Sequence, residues 1–272
     1  MNKLDRLKAL LSKMPSVLIA FSGGVDSSFL CSVACGALGK NATAVTAVSP
    51  TYTDNETKEA KLLAKLIGIR HKLIRTGEFQ DERFVSNPPE RCYYCKKALF
   101  ASLRKLADNM GIAEVLDASN IDDNRDFRPG SRAKKEFSVR SPLQDVRMSK
   151  AEIRKYSRQM GLSTWNRPSA ACLASRLSYG ERITAKKMKM IEKAEEYLKK
   201  LGFITVRVRL HGGIARIELG SSEIKRIFKG DIMVNVRRKL KDLGFNYITL
   251  DLEGFRSGSM NEVLSGIIRR KK

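Results

Sequence analysis

The most constraining stretch of this 272-residue chain runs from residue 17 to residue 38. Val17-Leu18-Ile19-Ala20-Phe21 is a continuous apolar run, as expected of a strand buried on both faces of a parallel sheet. It passes straight into Ser22-Gly23-Gly24-Val25-Asp26-Ser27-Ser28 and then into a helical pattern from Phe29 to Leu38. Small residues between a strand and a helix let backbone N–H groups close on an anion, and the helix dipole adds to the attraction. The hydroxyls of Ser22, Ser27 and Ser28 can donate to phosphate oxygens, and Asp26 can hold Mg2+. No lysine stands where a Walker A loop requires one, so this is a phosphate loop of another kind.

Periodicity extends the same plan along the first half. Met1 to Lys13, Asn55 to Ile67, Lys96 to Met110 and Lys150 to Met160 read as helices. Thr43 to Val48, His71 to Ile74 and Glu114 to Ala118 read as strands between them. Such alternation predicts an α/β fold with an open, mostly parallel sheet. Near residue 180 the pattern changes. A long amphipathic helix from Thr184 to Leu201 precedes a hairpin of Thr205–Leu210 and Ile214–Leu219 with one polar face, then a helix over Asp231–Leu243 and a strand over Asn246–Leu250. The chain is therefore expected to divide into residues 1–166 and a smaller α+β domain, 167–272, joined through Asn166 to Gly180.

Lys and Arg number 52 against 29 Asp and Glu, a net charge of +23. That surplus favours anionic partners such as nucleotides, phosphorylated metabolites or RNA, although a lysine-rich solvated surface has the same composition. No apolar run approaches the ~20 residues of a membrane span, and no secretory signal is visible. Five cysteines in a chain of this length make no disulfide scaffold, so a cytoplasmic location is expected. Cys31 and Cys35, a helical turn apart among apolar residues, read as core thiols. Cys92 and Cys95 form a CxxC suited to a shared metal or a redox pair, and Cys172 stands alone. Three thiolates could carry a [4Fe–4S] cluster with one iron open. Trp165, the single tryptophan, reads as a packing residue and His211 as part of the hairpin turn.

The loop Ser22–Ser27 resembles the PP-loop of the ATP pyrophosphatase superfamily, whose adenine nucleotide alpha hydrolase-like fold is of the predicted type. Further strings sharpen the resemblance: Arg91-Cys92-Tyr93-Tyr94-Cys95-Lys96-Lys97, Asp117 to Asp123, Asp126 to Gly130, Ser141-Pro142-Leu143, Trp165 to Pro168, Ala171 to Arg176, and Arg207-Val208-Arg209. In that order they look like the LarE family of ATP-dependent sulfur transferases, which serve nickel-pincer nucleotide cofactor synthesis. The resemblance implies adenylation of a carboxylate of a pyridinium biscarboxylic acid mononucleotide, its conversion to a thiocarboxylate, and release of AMP and pyrophosphate. It implies ATP contacts from Ser22, Gly23, Gly24, Val25, Asp26, Ser27, Ser28, Val48, Lys97, Asn120 and Arg128. It implies substrate-phosphate contacts from Arg176, Arg207 and Arg209, with Glu195, Glu196 and Glu218 as metal ligands in a C-terminal domain for sulfur transfer and oligomerisation.

In one subtype the residue matching Cys172 gives up its own sulfur. In another, residues matching Cys92, Cys95 and Cys172 hold a [4Fe–4S] cluster, and this chain has all three. The expected cofactors are thus ATP, Mg2+ and the cluster. The expected partners are a nucleotide-like small molecule, a sulfide or cysteine-derived sulfur source, and copies of the same chain in a trimer or hexamer. Two readings compete: a PP-loop enzyme that thiolates tRNA, and a non-catalytic nucleotide or iron–sulfur binding protein.

Overall fold

The computed structural model describes residues 1–125, 130–168 and 171–263. It contains two compact units, residues 1–84 with 89–170, and residues 85–88 with 171 onward. In the first unit the helices are α1 (Lys3–Leu11), α2 (Val25–Leu38), α3 (Asp54–Ile67), α4 (Glu82–Val85), whose last residue belongs to the second unit, α5 (Arg91–Asn109), α6 (Ser131–Glu136), α7 (Pro142–Asp145) and α8 (Lys150–Gln159). The strands are β1 (Val17–Ala20), β2 (Ala42–Val48), β3 (Arg70–Arg75), β4 (Glu114–Leu116) and β5 (Val139–Arg140). They form one parallel sheet in the order β3-β2-β1-β4-β5.

The period-two rule decides how this sheet is covered. Val17 and Ile19 of β1 enter a core with Phe29, Leu30, Leu7 and Ile153. Leu18, between them, enters a separate core with Phe100, Leu103 and Val115. Both faces are buried, which is why β1 carries no polar residue. Strand order runs outward in both directions from β1, so the direction of winding reverses between β1 and β4. Open α/β sheets bind ligands at that reversal, beyond the carboxyl ends of the strands.

Three local features differ from expectation. The two-residue β5 is too short for any periodicity to reveal. Helix α2 begins at Val25, so Asp26, Ser27 and Ser28 lie in its first turn. Helix α5 begins at Arg91, so Cys92 and Cys95 lie one turn apart at its start, not in a loop before it.

The second unit contains α9 (Ala185–Lys200), β6 (Val206–His211), β7 (Ile214–Leu219), α10 (Ile232–Asp242) and β8 (Tyr247–Leu250). The hairpin β6–β7 is antiparallel and β8 adds to β7 in parallel. Residues 85–88 belong here because Ile183 N donates to Val85 O, Gly180 N to Asn87 O, and Asn87 Nδ2 to Ser178 O. The predicted polar face of the hairpin holds buried charges: Arg209 is 6% exposed and Glu218 0%. Arg209 and Glu218 stand among valine and isoleucine here because they pair with each other, not with water. No described helix is long and apolar enough to cross a membrane.

Candidate active site

Glycine opens the loop after β1. Gly23 adopts φ +70°, a left-handed conformation that costs other residues roughly 1 kcal/mol, and a Cβ there would lie 3.4 Å from Ala60 Cα. Gly24 caps α2 without a side chain, which leaves first-turn N–H groups for a ligand. Ser22 Oγ and Ser27 Oγ lie 3.1 Å apart, and Ser27 Oγ donates to Gly24 O at 3.2 Å. The Ser28 hydroxyl is enclosed with no partner among the described residues. The loop is thus a cradle of small polar groups at a helix N-terminus, which fits a polyphosphate.

Lys150 and Arg167, absent from the predicted set of site residues, also reach this edge of the sheet. Lys150, the first residue of α8, pairs with Asp26 Oδ2, and Asn120 Nδ2 lies 3.5 Å from Asp26 Oδ1. A lysine at a helix N-terminus opposes the macrodipole, so its position is explained by the aspartate it meets. That anomaly, behind the readable Ser149/Glu152 capping box, was the available signal. Beyond β4, Ser141 and Ser119 donate to Asp117 at 2.5 and 2.6 Å, and Lys134 Nζ donates to Ser141 Oγ at 2.9 Å. Arg167 donates to Gly23 O at 2.9 Å and pairs with Glu59. Val48 ends β2 at the carboxyl edge. Arg128 lies outside the described residues.

The thiols separate into two kinds. Cys31 is fully buried and its thiol is pushed far up, first by burial and then by Cys35, which leaves it inert. Cys92 is exposed and Cys95 half-buried on the first turn of α5. Lys97, on the same helix, lies 3.4 Å from Glu136 Oε2. Tyr93 first, and Glu136 second, raise the Lys97 ammonium. A Cβ on Gly130 would stand 2.9 Å from Lys96 Cγ and 3.3 Å from Cys92 O, so only glycine passes this turn closely.

Cys172 lies in the second unit, where Arg176 holds its segment. The Arg176 guanidinium donates to Cys172 O at 2.9 Å, to Ala171 O at 2.5 Å, and to both oxygens of Glu195 at 3.0 and 3.2 Å. Arg209 donates to Glu218 at 2.8 Å and to Ser175 O at 3.3 Å, while Arg216 and Ser259 take the other Glu218 oxygen. Arg207 stacks on Phe255 at 5.3 Å and has no carboxylate partner among the described residues. Burial and then the neighbouring Arg176 hold its affinity for protons below the ordinary arginine value.

Of the three predicted phosphate ligands, Arg176 and Arg209 are thus ion-paired within the unit, while Arg207 NH1 donates to Val206 O at 2.7 Å. The predicted metal ligands do not gather. Glu195 and Glu218 are spent on arginines, and Glu196 lies exposed beside Lys193, Tyr197, Lys200 and Lys239. Among the described residues no group of three or more His, Cys, Asp or Glu has metal-holding geometry. Trp165 is 36% exposed under the Arg158 guanidinium, not a core residue. His211 Nδ1 meets Ser178 Oγ at 2.8 Å.

Residues 7–102 match the family profile of asparagine synthase. Over 264 residues the chain is 42% identical to an uncharacterized protein of Synechocystis, covering 97% of this chain and 98% of that one. It is 40% identical over 268 residues to the pyridinium-3,5-bisthiocarboxylic acid mononucleotide synthase of Lactiplantibacillus plantarum, covering 97% and 95%. It is 30% identical over 260 residues to an uncharacterized protein of Methanocaldococcus jannaschii, covering 94% and 98%. The parallel sheet, the glycine-serine loop at its winding reversal and the profile match define a member of the ATP-using PP-loop class. Within that class, identity along nearly the whole of both chains settles the matter: the chain belongs to the LarE family, that of the plantarum synthase.

Proposed function

We propose that this chain is an ATP-dependent sulfurtransferase that converts a carboxylate of pyridinium biscarboxylic acid mononucleotide to a thiocarboxylate. The observation that carries this is the 40% identity over 97% of the chain to a synthase of the bisthiocarboxylic product. The chemistry is coherent with the residues present. A carboxylate is a poor acyl donor because oxide is a poor leaving group. Attack of a carboxylate oxygen on the α-phosphorus of ATP breaks the bond to the β-phosphate, releases pyrophosphate and leaves an acyl-adenylate. Sulfur then attacks the acyl carbon and AMP departs: hydrosulfide gives the thiocarboxylate directly, whereas the Cys172 thiolate gives a thioester whose Cβ–S bond breaks, with loss of the Cα proton, to leave the thiocarboxylate and dehydroalanine.

Ser22, Gly23, Gly24 and the first turn of α2 receive the departing pyrophosphate, with the adenine near Val48 and Asn120 orienting Asp26. Mg2+, held by Asp26, would neutralise phosphate charge. Arg207, backed by Arg176 and Arg209, receives the phosphate of the mononucleotide.

Sulfur delivery is assigned to Cys172 with Cys92 and Cys95. A [4Fe–4S] carrier is tested directly. Anaerobically purified protein is expected to contain about four iron and four sulfide per chain, and Cys92→Ser is expected to abolish both colour and turnover. Colour and activity that survive Cys92→Ser would point to sacrifice of Cys172, visible by mass spectrometry as loss of hydrogen sulfide from that residue.

The assay of the reaction itself is ATP conversion to AMP and pyrophosphate dependent on the mononucleotide, and turnover without that dependence would overturn the reading. The +23 charge favours one rival, tRNA thiolation. Tight RNA binding with a steep salt dependence would support that rival. Family resemblance also supports a trimer or hexamer, which light scattering would measure.

A further inference from the structure

We infer that Arg167 is a positioning residue for the phosphate loop, gripping it from the side opposite the bound phosphates. The inference rests on the reading of Ser22–Ser28 as the ATP phosphate cradle. Arg167 NH1 donates to Gly23 O at 2.9 Å. The Gly23–Gly24 peptide is trans, so its carbonyl and its N–H point in opposite directions. Holding the carbonyl toward Arg167 turns the Gly24 N–H the other way, onto Ser22 Oγ at 3.4 Å, among the hydroxyls of the cradle. Glycine at φ +70° would rotate this peptide at little cost, so an external group must select one orientation.

Arg167 is itself fixed from two sides. Its guanidinium pairs with Glu59 of α3, the helix whose Ala60 and Leu63 pack against Gly23. Arg154 of α8 donates to the carbonyls of Trp165 and Arg167, at 2.8 Å each. Four residues earlier on α8, Lys150 holds Asp26. The loop is thereby held at Gly23 and at Asp26 by groups anchored on one helix. A guanidinium suits the task because it can serve the Gly23 carbonyl and the Glu59 carboxylate with different N–H groups, which an ammonium on a single head does poorly.

The test compares binding of ATP and of adenosine to the full-length protein by calorimetry, which requires no turnover. Arg167→Ala is expected to weaken ATP about tenfold, the equivalent of one lost charge-assisted hydrogen bond, with adenosine unaffected. Arg167→Lys is expected to recover part of the loss. Glu59→Ala is expected to weaken ATP in the same direction, and by less in an Arg167→Ala background than in the wild type. Equal loss of ATP and adenosine, or no loss of ATP, would overturn the assignment. If the wild type binds ATP but never forms AMP and pyrophosphate, the proposed reaction fails while the loop assignment still stands or falls on these affinities.

Discussion

Arg176 holds Cys172 and Glu195 together, and its loss is expected to be felt twice. Both Arg176 and Glu195 are 4% exposed, and Glu195 also accepts from Val208 N at 3.1 Å. Truncation to alanine would strand a buried carboxylate, so Arg176→Ala is expected to lower unfolding stability by about 3–5 kcal/mol in urea titrations. Arg176→Lys, which keeps the charge but not the two-pronged contact, is expected to lose less. The segment of Cys172 hangs on the same guanidinium through two carbonyls, so sulfur transfer is expected to fall in the lysine variant even where the fold is retained. Arg176 was legible, through the family resemblance, as a substrate-phosphate ligand. That its charge is consumed internally was not, because the partner lies 19 residues away on another element.

Helix α3 works as a wall for the phosphate loop, and its rigidity starts at its cap. Thr53 Oγ1 accepts from Glu56 N at 3.1 Å, and Glu56 Oε2 accepts from Thr53 N at 2.8 Å, a reciprocal capping box. Thr53→Ala is expected to cost about 1 kcal/mol of stability by chemical denaturation. ATP affinity should change little, because Ala60, Leu63 and Glu59 lie in later turns. A large fall in ATP affinity with unchanged stability would contradict this division. Helix α5 carries the opposite lesson. Its first turn bears Cys92 and Cys95, although periodicity placed its start only at Lys96, and Pro88-Pro89 stand just ahead of it. Prolines are tolerated just ahead of a helix because no N–H is needed there, so they marked the start of α5 and not a break.

The two units share one pH liability, since each contains one of the chain's two histidines. Burial first, then Lys61, lowers His71 below its ordinary value of 6.5, and burial first, then Arg216, lowers His211. The hydrogen of Thr46 Oγ1 goes to Phe21 O, so His71 Nε2, 2.8 Å away, carries its own hydrogen and donates. Both rings therefore take up protons less readily in the folded chain than in the unfolded one. Their contribution to stability is complete above 6.5 and is withdrawn as pH falls through the lower folded values. The thermal midpoint is expected to fall between about pH 7.5 and about pH 5.5. Replacing both histidines with glutamine is expected to flatten that dependence, and an undiminished slope in the double variant would assign it elsewhere.

Residue order alone determined the parallel sheet, the glycine-serine loop between β1 and α2, and the α-β-β-α-β plan of the second unit. Each of these is written in local periodicity and in the short-range sterics of glycine. Only the tertiary structure decided which charges are consumed inside and which remain for a ligand. Arg209 and Arg207 stand two apart on one strand, yet one is locked to Glu218 and the other stacks on Phe255. Arg167 reaches a carbonyl 144 residues away. Such partners are selected by burial, where an unpaired charge costs more than any local preference supplies, and burial is a property of the assembled fold.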